Sequence, residues 1–145
     1  MDRKYEDFYR RLRKRIEAWA SSGGARESAW VGYILVAPDL FYLIVKLIGD
    51  AEVPAPHKAR LVAVAAYFIS PIDLIPEALL GPVGYVDDVA LAAWTLNLLL
   101  NDVDEAVLLR HWAGEQNLLA LVREIVRVAD QMVGSGLWER LKTML

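Results

Sequence analysis

Between Ser70 and Gly84 the chain sets Pro71, Pro76, Gly81, Pro82 and Gly84 into its most apolar half, and this punctuation restricts what the chain can fold into more than any other feature. Proline lacks the N–H of a helical hydrogen bond, and its ring meets the carbonyl four residues back. No long regular helix is therefore expected to cross the run Ser70-Pro71-Ile72-Asp73-Leu74-Ile75-Pro76-Glu77. A structured turn is expected instead, between one apolar helix from about Pro56 to Ile69 and another from about Tyr85 to Leu100. Pro54 and Pro56 open the first helix where a missing N–H is harmless. Asp87 and Asp88 fall in the first turn of the second, where exposed N–H groups favour negative charge.

The remaining segments also read as helix. Tyr5, Phe8, Leu12, Ile16 and Trp19 recur at steps of three and four within Asp2 to Ala20, which puts them on one stripe of an amphipathic helix. Paired glycines at Gly23-Gly24 stop it. Ser28 can cap a second helix to about Ala37, and Pro38 then forces a kink or a restart, of which the restart is favoured and carries Leu40, Phe41, Leu43, Ile44, Leu47 and Ile48 to Gly49-Asp50. Asn101 or Asp102 with Glu105 resembles a capping box for a shorter helix to Ala113. Asn117 to Val133 forms a further amphipathic helix, Gly134-Ser135-Gly136 a joint, and Leu137 to Leu145 a terminal helix. Period-two alternation and hairpin turn signals are missing. The fold class is therefore all-α: a compact multi-helix bundle with the Pro-rich turn joining its two central apolar helices. Its organisation is a basic amphipathic N-terminal helix over 1–22 and a helical domain over 26–145.

Composition narrows the function classes. At 145 residues the chain suits one domain with one core and needs no disulfide or metal staple. A net charge of -3 argues against a nucleic-acid binder that relies on overall positive potential. The absence of Cys removes thiolate catalysis, Cys-based zinc sites and iron–sulfur ligation. Met1 to Glu17 is dense in charge where a secretory signal would be apolar, so the expected location is cytoplasmic or membrane-associated, not secreted. The apolar share of 56% exceeds the roughly 45–50% of soluble domains. Even so, Trp30 to Ile48 is interrupted by Asp39 and Lys46, and Leu61 to Val86 by Asp73 and Glu77. A mid-span Asp costs about 2.5–3.5 kcal/mol, which argues against spanning.

From about Pro38 to Leu100 the chain resembles the YkvA-like domain family, a domain of unknown function. The resemblance is carried by Pro38-Asp39-Leu40-Phe41, by Val53-Pro54 with Lys58, by Ser70-Pro71-Ile72-Asp73-Leu74-Ile75-Pro76, and by Gly84-Tyr85 leading into Asp87-Asp88. Glu77 stands where an Asp usually follows the second proline. The resemblance implies a helical module often regarded as membrane-associated; it brings no reaction, substrate or catalytic set.

The motif residues Ser70, Pro71, Asp73, Pro76, Gly84, Asp87 and Asp88 have two readings. Asp73, Asp87 and Asp88, with Glu77 nearby, offer oxygen ligands of the kind that suit magnesium, manganese or calcium. The plainer reading, which the spacing favours, has them satisfying turn and helix-start N–H groups. His57 is expected at an exposed helix start and His111 at a helix end; neither belongs to a zinc-binding pair. Nothing marks a catalytic residue or an organic cofactor. The first fifteen residues carry a net +4, and Arg10, Arg11, Arg13, Lys14, Arg15 and Trp19 are the residues expected to meet an anionic membrane or a protein partner. The leading expectation is a non-enzymatic helical module working at a membrane, with protein partners or as a homo-oligomer. The alternatives are a divalent-cation-dependent binder or enzyme, and a soluble adaptor recognising a partner helix.

Overall fold

The computed structural model describes residues 3–21, 31–74, 86–133, 138–139 and 142–143. Among the described residues seven helices follow one another: α1 (Arg3–Ala20), α2 (Val31–Leu35), α3 (Ala37–Ile48), α4 (Ala55–Leu74), α5 (Val86–Leu99), α6 (Glu105–Leu109) and α7 (Leu118–Val133). No strand occurs among the described residues, and the fold is all-α. Helix α5 lies in the middle and touches α2, α3, α4 and α7. A helix that is apolar all round must be covered all round, and Val89, Ala90, Leu91, Ala92, Ala93, Leu96 and Leu99 of α5 are all buried.

Helix α1 belongs to this core. Its stripe Phe8, Leu12 and Ile16 is buried, with Tyr5 and Trp19 partly buried at either end. The Phe8 ring meets the Phe41 ring of α3 edge-on at 4.7 Å, and Phe41 meets Phe68 of α4 at 5.5 Å. Three helices are thus joined through aromatic contacts of a kind that contributes beyond simple burial. The chain restarts at Pro38 in the expected way: α2 ends at Leu35, and Pro38 stands in the first turn of α3, where no carbonyl waits for its N–H. Ser28 lies outside the described residues, as do Gly134, Ser135 and Gly136.

Three boundaries correct the sequence reading. Helix α4 does not stop at Ile69 but continues through Ser70 and Pro71 to Leu74. Pro71 stands in the final turns, so it removes one hydrogen bond near the end of a twenty-residue helix instead of breaking its middle. Pro76, Glu77 and Gly84 lie outside the described residues. The short helix α6 is capped by neither Asn101 nor Asp102: Asp104 is the N-cap, its Oδ1 accepting from the Ala106 N–H at 2.9 Å, and the helix ends at Leu109, short of Ala113. Asp102 is engaged elsewhere, by a histidine 45 residues away in sequence. At α7, Asn117 caps as its position suggests, its Oδ1 accepting from the Ala120 N–H at 3.0 Å.

Candidate functional site

Among the described residues, four features stand out once the core is assigned. The first is acidic and lies where the later turns of α4 meet the start of α5. Asp87 and Asp88 occupy the first turn of α5. Asp87 is half-buried, whereas Asp88 is only 1% exposed and its Oδ1 accepts no hydrogen bond. Burial pushes the Asp88 carboxyl well above the usual carboxylate range, and the neighbouring Asp87 charge adds to the effect. Burial raises Asp87 as well. Tyr67 of α4 senses both: its phenol is pushed up to about 12, first by burial and then by the charges of Asp87 and Asp88. Asp73 sits in the last turn of α4, but its side chain lies outside the described part of the structure. Among the described residues no three His, Asp or Glu side chains gather closely enough to hold a metal ion.

The second feature is a polar staple at the opposite end of α4, about 15 Å away along ten residues of helix. His57 is not at an exposed helix start: it is 5% exposed, and its Nε2 lies 2.7 Å from the Asp102 carboxylate. Asp50 is bonded by His111 Nε2 at 2.8 Å and by the Glu52 N–H at 2.9 Å. Arg110 reaches both Asp50, at 3.3 Å, and Glu52. These bonds, with His111 first, hold the Asp50 carboxyl below the usual range. The staple ties the α3–α4 link to the segments on either side of α6. Sequence reasoning missed it because every pair is separated by 45 residues or more, apart from the local Glu52 contact. The one available signal was that Asp50 and Asp102 each follow the end of an apolar helix.

The third surface is the outer side of α4. Its inner side buries His57, Leu61, Val64, Ala65, Phe68 and Ile69. The opposite side exposes Ala55, Ala59, Val62, Ala63 and Ala66, all uncharged. Val62 alone leaves 43% of its surface in water. The contrast with α7 is direct, since the exposed face of α7 carries Arg123, Glu124, Arg127 and Asp130.

The basic face of α1 is partly neutralised within its own helix. Arg10 pairs with Glu6 at 2.6 Å, and Arg13 pairs with Glu17 at 3.2 Å while also donating to the Tyr9 hydroxyl. Arg11 lies 6.0 Å over the Phe8 ring. Lys14 is exposed, Arg15 intermediate and Trp19 packed against the core. Among the described residues no helix is long and apolar enough to cross a membrane.

The chain is 20% identical over 98 residues to the uncharacterised protein ORF9 of Methanothermobacter thermautotrophicus, a match covering 68% of this chain and 67% of that protein. No solved structure matches the chain. Residues 57–94 match the model of a family described as a protein of unknown function, DUF1232; the segment runs from the buried His57, along both faces of α4, to Trp94 of α5. Over that segment the chain is similar to the DUF1232 family, with which the YkvA-like motif is associated and whose description assigns no function.

Proposed function

We propose that this chain is a non-enzymatic helical interaction module, and that the outer face of α4 packs against an apolar helix of another protein chain, in the first instance α4 of a second copy. The observation that carries this reading is the two-sided apolar character of α4. A helix without a polar face is ordinarily buried on all sides. Helix α5 meets that condition within the chain, whereas Ala55, Ala59, Val62, Ala63 and Ala66 of α4 face outward. Small residues at intervals of three and four let two helix backbones approach closely and gain dispersion contacts along their length. An antiparallel pair also suits the charges. Lys58 and Arg60 flank the stripe near the N-terminus of α4, so each copy's bases would lie toward the negative end of the other helix dipole.

Two observations favour a protein over a lipid as the occupant. The aromatic stripe of α1, which would enter the headgroup boundary, is held in the core by Phe8, Leu12 and Ile16. Arg10 and Arg13 on its outer face pair with carboxylates of their own helix. Light scattering after size exclusion tests the proposal on the full chain and on Ala63→Glu, a change at an exposed position that leaves the unfolding midpoint in place. A dimer for the native chain and a monomer for Ala63→Glu support it. A native chain that stays monomeric across the micromolar range, and floats with anionic vesicles, refutes it and assigns the face to lipid.

A further inference from the structure

A cleft of about 540 Å³ lies between α1, the junction of α2 with α3 and the link from α6 to α7, and no residue of α4 or α5 lines it. Its size falls within the roughly 300–1,000 Å³ of small-molecule sites. Arg13, Leu35, Asp39, Trp112 and Glu115 are among its walls, and the first three also line an adjoining hollow of about 140 Å³. The Trp112 wall is fixed in place. Its indole N–H donates to the Gln116 carbonyl at 2.9 Å, and its ring lies so close across Gly114 that a Cβ there would overlap Cζ2, Cε2 and Cη2. Glycine at 114 is therefore what admits the ring to the wall. Leu35, facing the same space, leaves 42% of its surface uncovered. The charges around the cleft do not balance. Asp39 is half-buried in the first turn of α3, yet among the described residues no hydrogen bond reaches its carboxylate. Burial pushes the Asp39 carboxyl up, and the Arg13 charge offsets this only in part. Arg13 is itself engaged by the Glu17 carboxylate at 3.2 Å and by the Tyr9 hydroxyl. With Arg13 matched by Glu17, the cleft is left with the carboxylates of Asp39 and the exposed Glu115.

We propose that this cleft binds an organic monocation, an amine carrying an apolar or aromatic body, with the ammonium at Asp39 and the body between Leu35 and the Trp112 ring. The ammonium supplies the counter-charge and the hydrogen-bond donors that the half-buried Asp39 lacks. The body covers Leu35 and the indole, removing apolar surface from water. An anion meets two carboxylates and a base that is already paired. A neutral molecule of the same shape fills the space but leaves Asp39 unpaired. An inorganic ion would leave most of the cleft empty, and among the described residues no three His, Asp or Glu side chains gather to hold one. Glu115, at the exposed edge, adds attraction at longer range. The site is independent of how the outer face of α4 is used.

Titration of the full chain, followed by calorimetry and by the indole N–H resonances, tests the site with phenethylamine as the probe and with phenethyl alcohol and hydrocinnamate as its neutral and anionic counterparts. The expected result is one amine per chain with a Kd of about 1 mM or tighter, within reach of a ligand this small. The alcohol and the acid should bind at least about tenfold more weakly than the amine. Asp39→Asn should cost the amine at least about tenfold and leave the alcohol unchanged, which a merely structural change would not do. It removes a charge that burial disfavours, so the variant keeps its fold, as its unfolding midpoint will show. Gly114→Ala displaces the Trp112 ring and should weaken amine and alcohol together, and Glu115→Gln should weaken the amine less than Asp39→Asn does. Absence of amine binding up to about 10 mM overturns the proposal. So does equal affinity for the three probes, or amine binding that is unchanged in Asp39→Asn or in Gly114→Ala.

Discussion

Removing the Phe8 ring probes whether α1 is part of the core or an arm that can leave it. Phe8 is 1% exposed and meets Phe41 edge-on at 4.7 Å, and Phe41 in turn contacts Tyr5 at 6.2 Å and Phe68 at 5.5 Å. Phe8→Ala deletes a buried ring and leaves a cavity among aromatic neighbours that are themselves fixed by α3 and α4. Such truncations cost about 3–5 kcal/mol, a large part of the roughly 5–15 kcal/mol that holds a domain together. At about 3 °C per kcal/mol for a chain of this size, the midpoint should fall by about 10 °C. Thermal unfolding followed by far-UV circular dichroism measures it, with Lys14→Ala on the outer face of the same helix as the control; exposed changes of that kind stay within about 0.5 kcal/mol. If Phe8→Ala also stays within that margin, α1 is detachable, the packing argument fails, and its aromatic stripe becomes available to a membrane.

The staple and the acidic corner give two further expectations. His57→Ala should destabilise the chain by about 1–3 kcal/mol, because it strips a buried partner from Asp102 and opens a void at the base of α4; a double-mutant cycle with Asp102→Ala in chemical denaturation should return a positive coupling, and strict additivity would refute the bond. The carboxyls raised by burial, Asp88, Asp87 and Asp39, bind protons more tightly folded than unfolded, so the stability should fall as pH rises from the ordinary carboxylate range through their raised folded values. Each such proton accounts for at most about 1.4 kcal/mol per pH unit. Asp50 has the opposite sign: its folded carboxyl is depressed, and its contribution is lost only as pH falls through that lower value. Unfolding free energies at a series of pH values should therefore show a downward slope above the ordinary carboxylate range that Asp88→Asn flattens, and an unaltered slope in that variant would refute the burial of an uncompensated carboxyl.

Much of this architecture is local physics and could be read directly. The stripe Tyr5, Phe8, Leu12, Ile16 and Trp19 specifies a helix with one buried face. Pro38 is compatible with a first turn and not with a helix interior, and Asn117 supplies a cap oxygen at the spacing that a helix start requires. Other features depend on partners far along the chain. His57 follows two prolines at a helix start, a setting that reads as exposed until Asp102 is brought against it by the turn after α5. Asp104 and Asp102 are equally good caps on composition; the histidine decides between them. The path of α4 through Pro71 departs from the sequence expectation because a proline's penalty depends on how near the helix end it falls. The acidic corner was half legible: Asp87 and Asp88 were singled out from the motif, but their environment depends on Tyr67, whose proximity follows only from how α4 packs on α5.

The central claim is that the uncharged outer face of α4 meets another copy of itself, and a cysteine-free chain allows that to be tested with one introduced thiol. Val62 and Ala63 lie near the middle of the exposed stripe, so in an antiparallel pair the two copies of residue 63 approach each other closely. A disulfide forms when the Cα atoms come within about 4.4–6.8 Å. The account predicts that Ala63→Cys gives a covalent dimer rapidly under mild oxidant, while Arg123→Cys on the charged, exposed face of α7 does not. Equal and slow cross-linking at both positions, or none at residue 63, would contradict it.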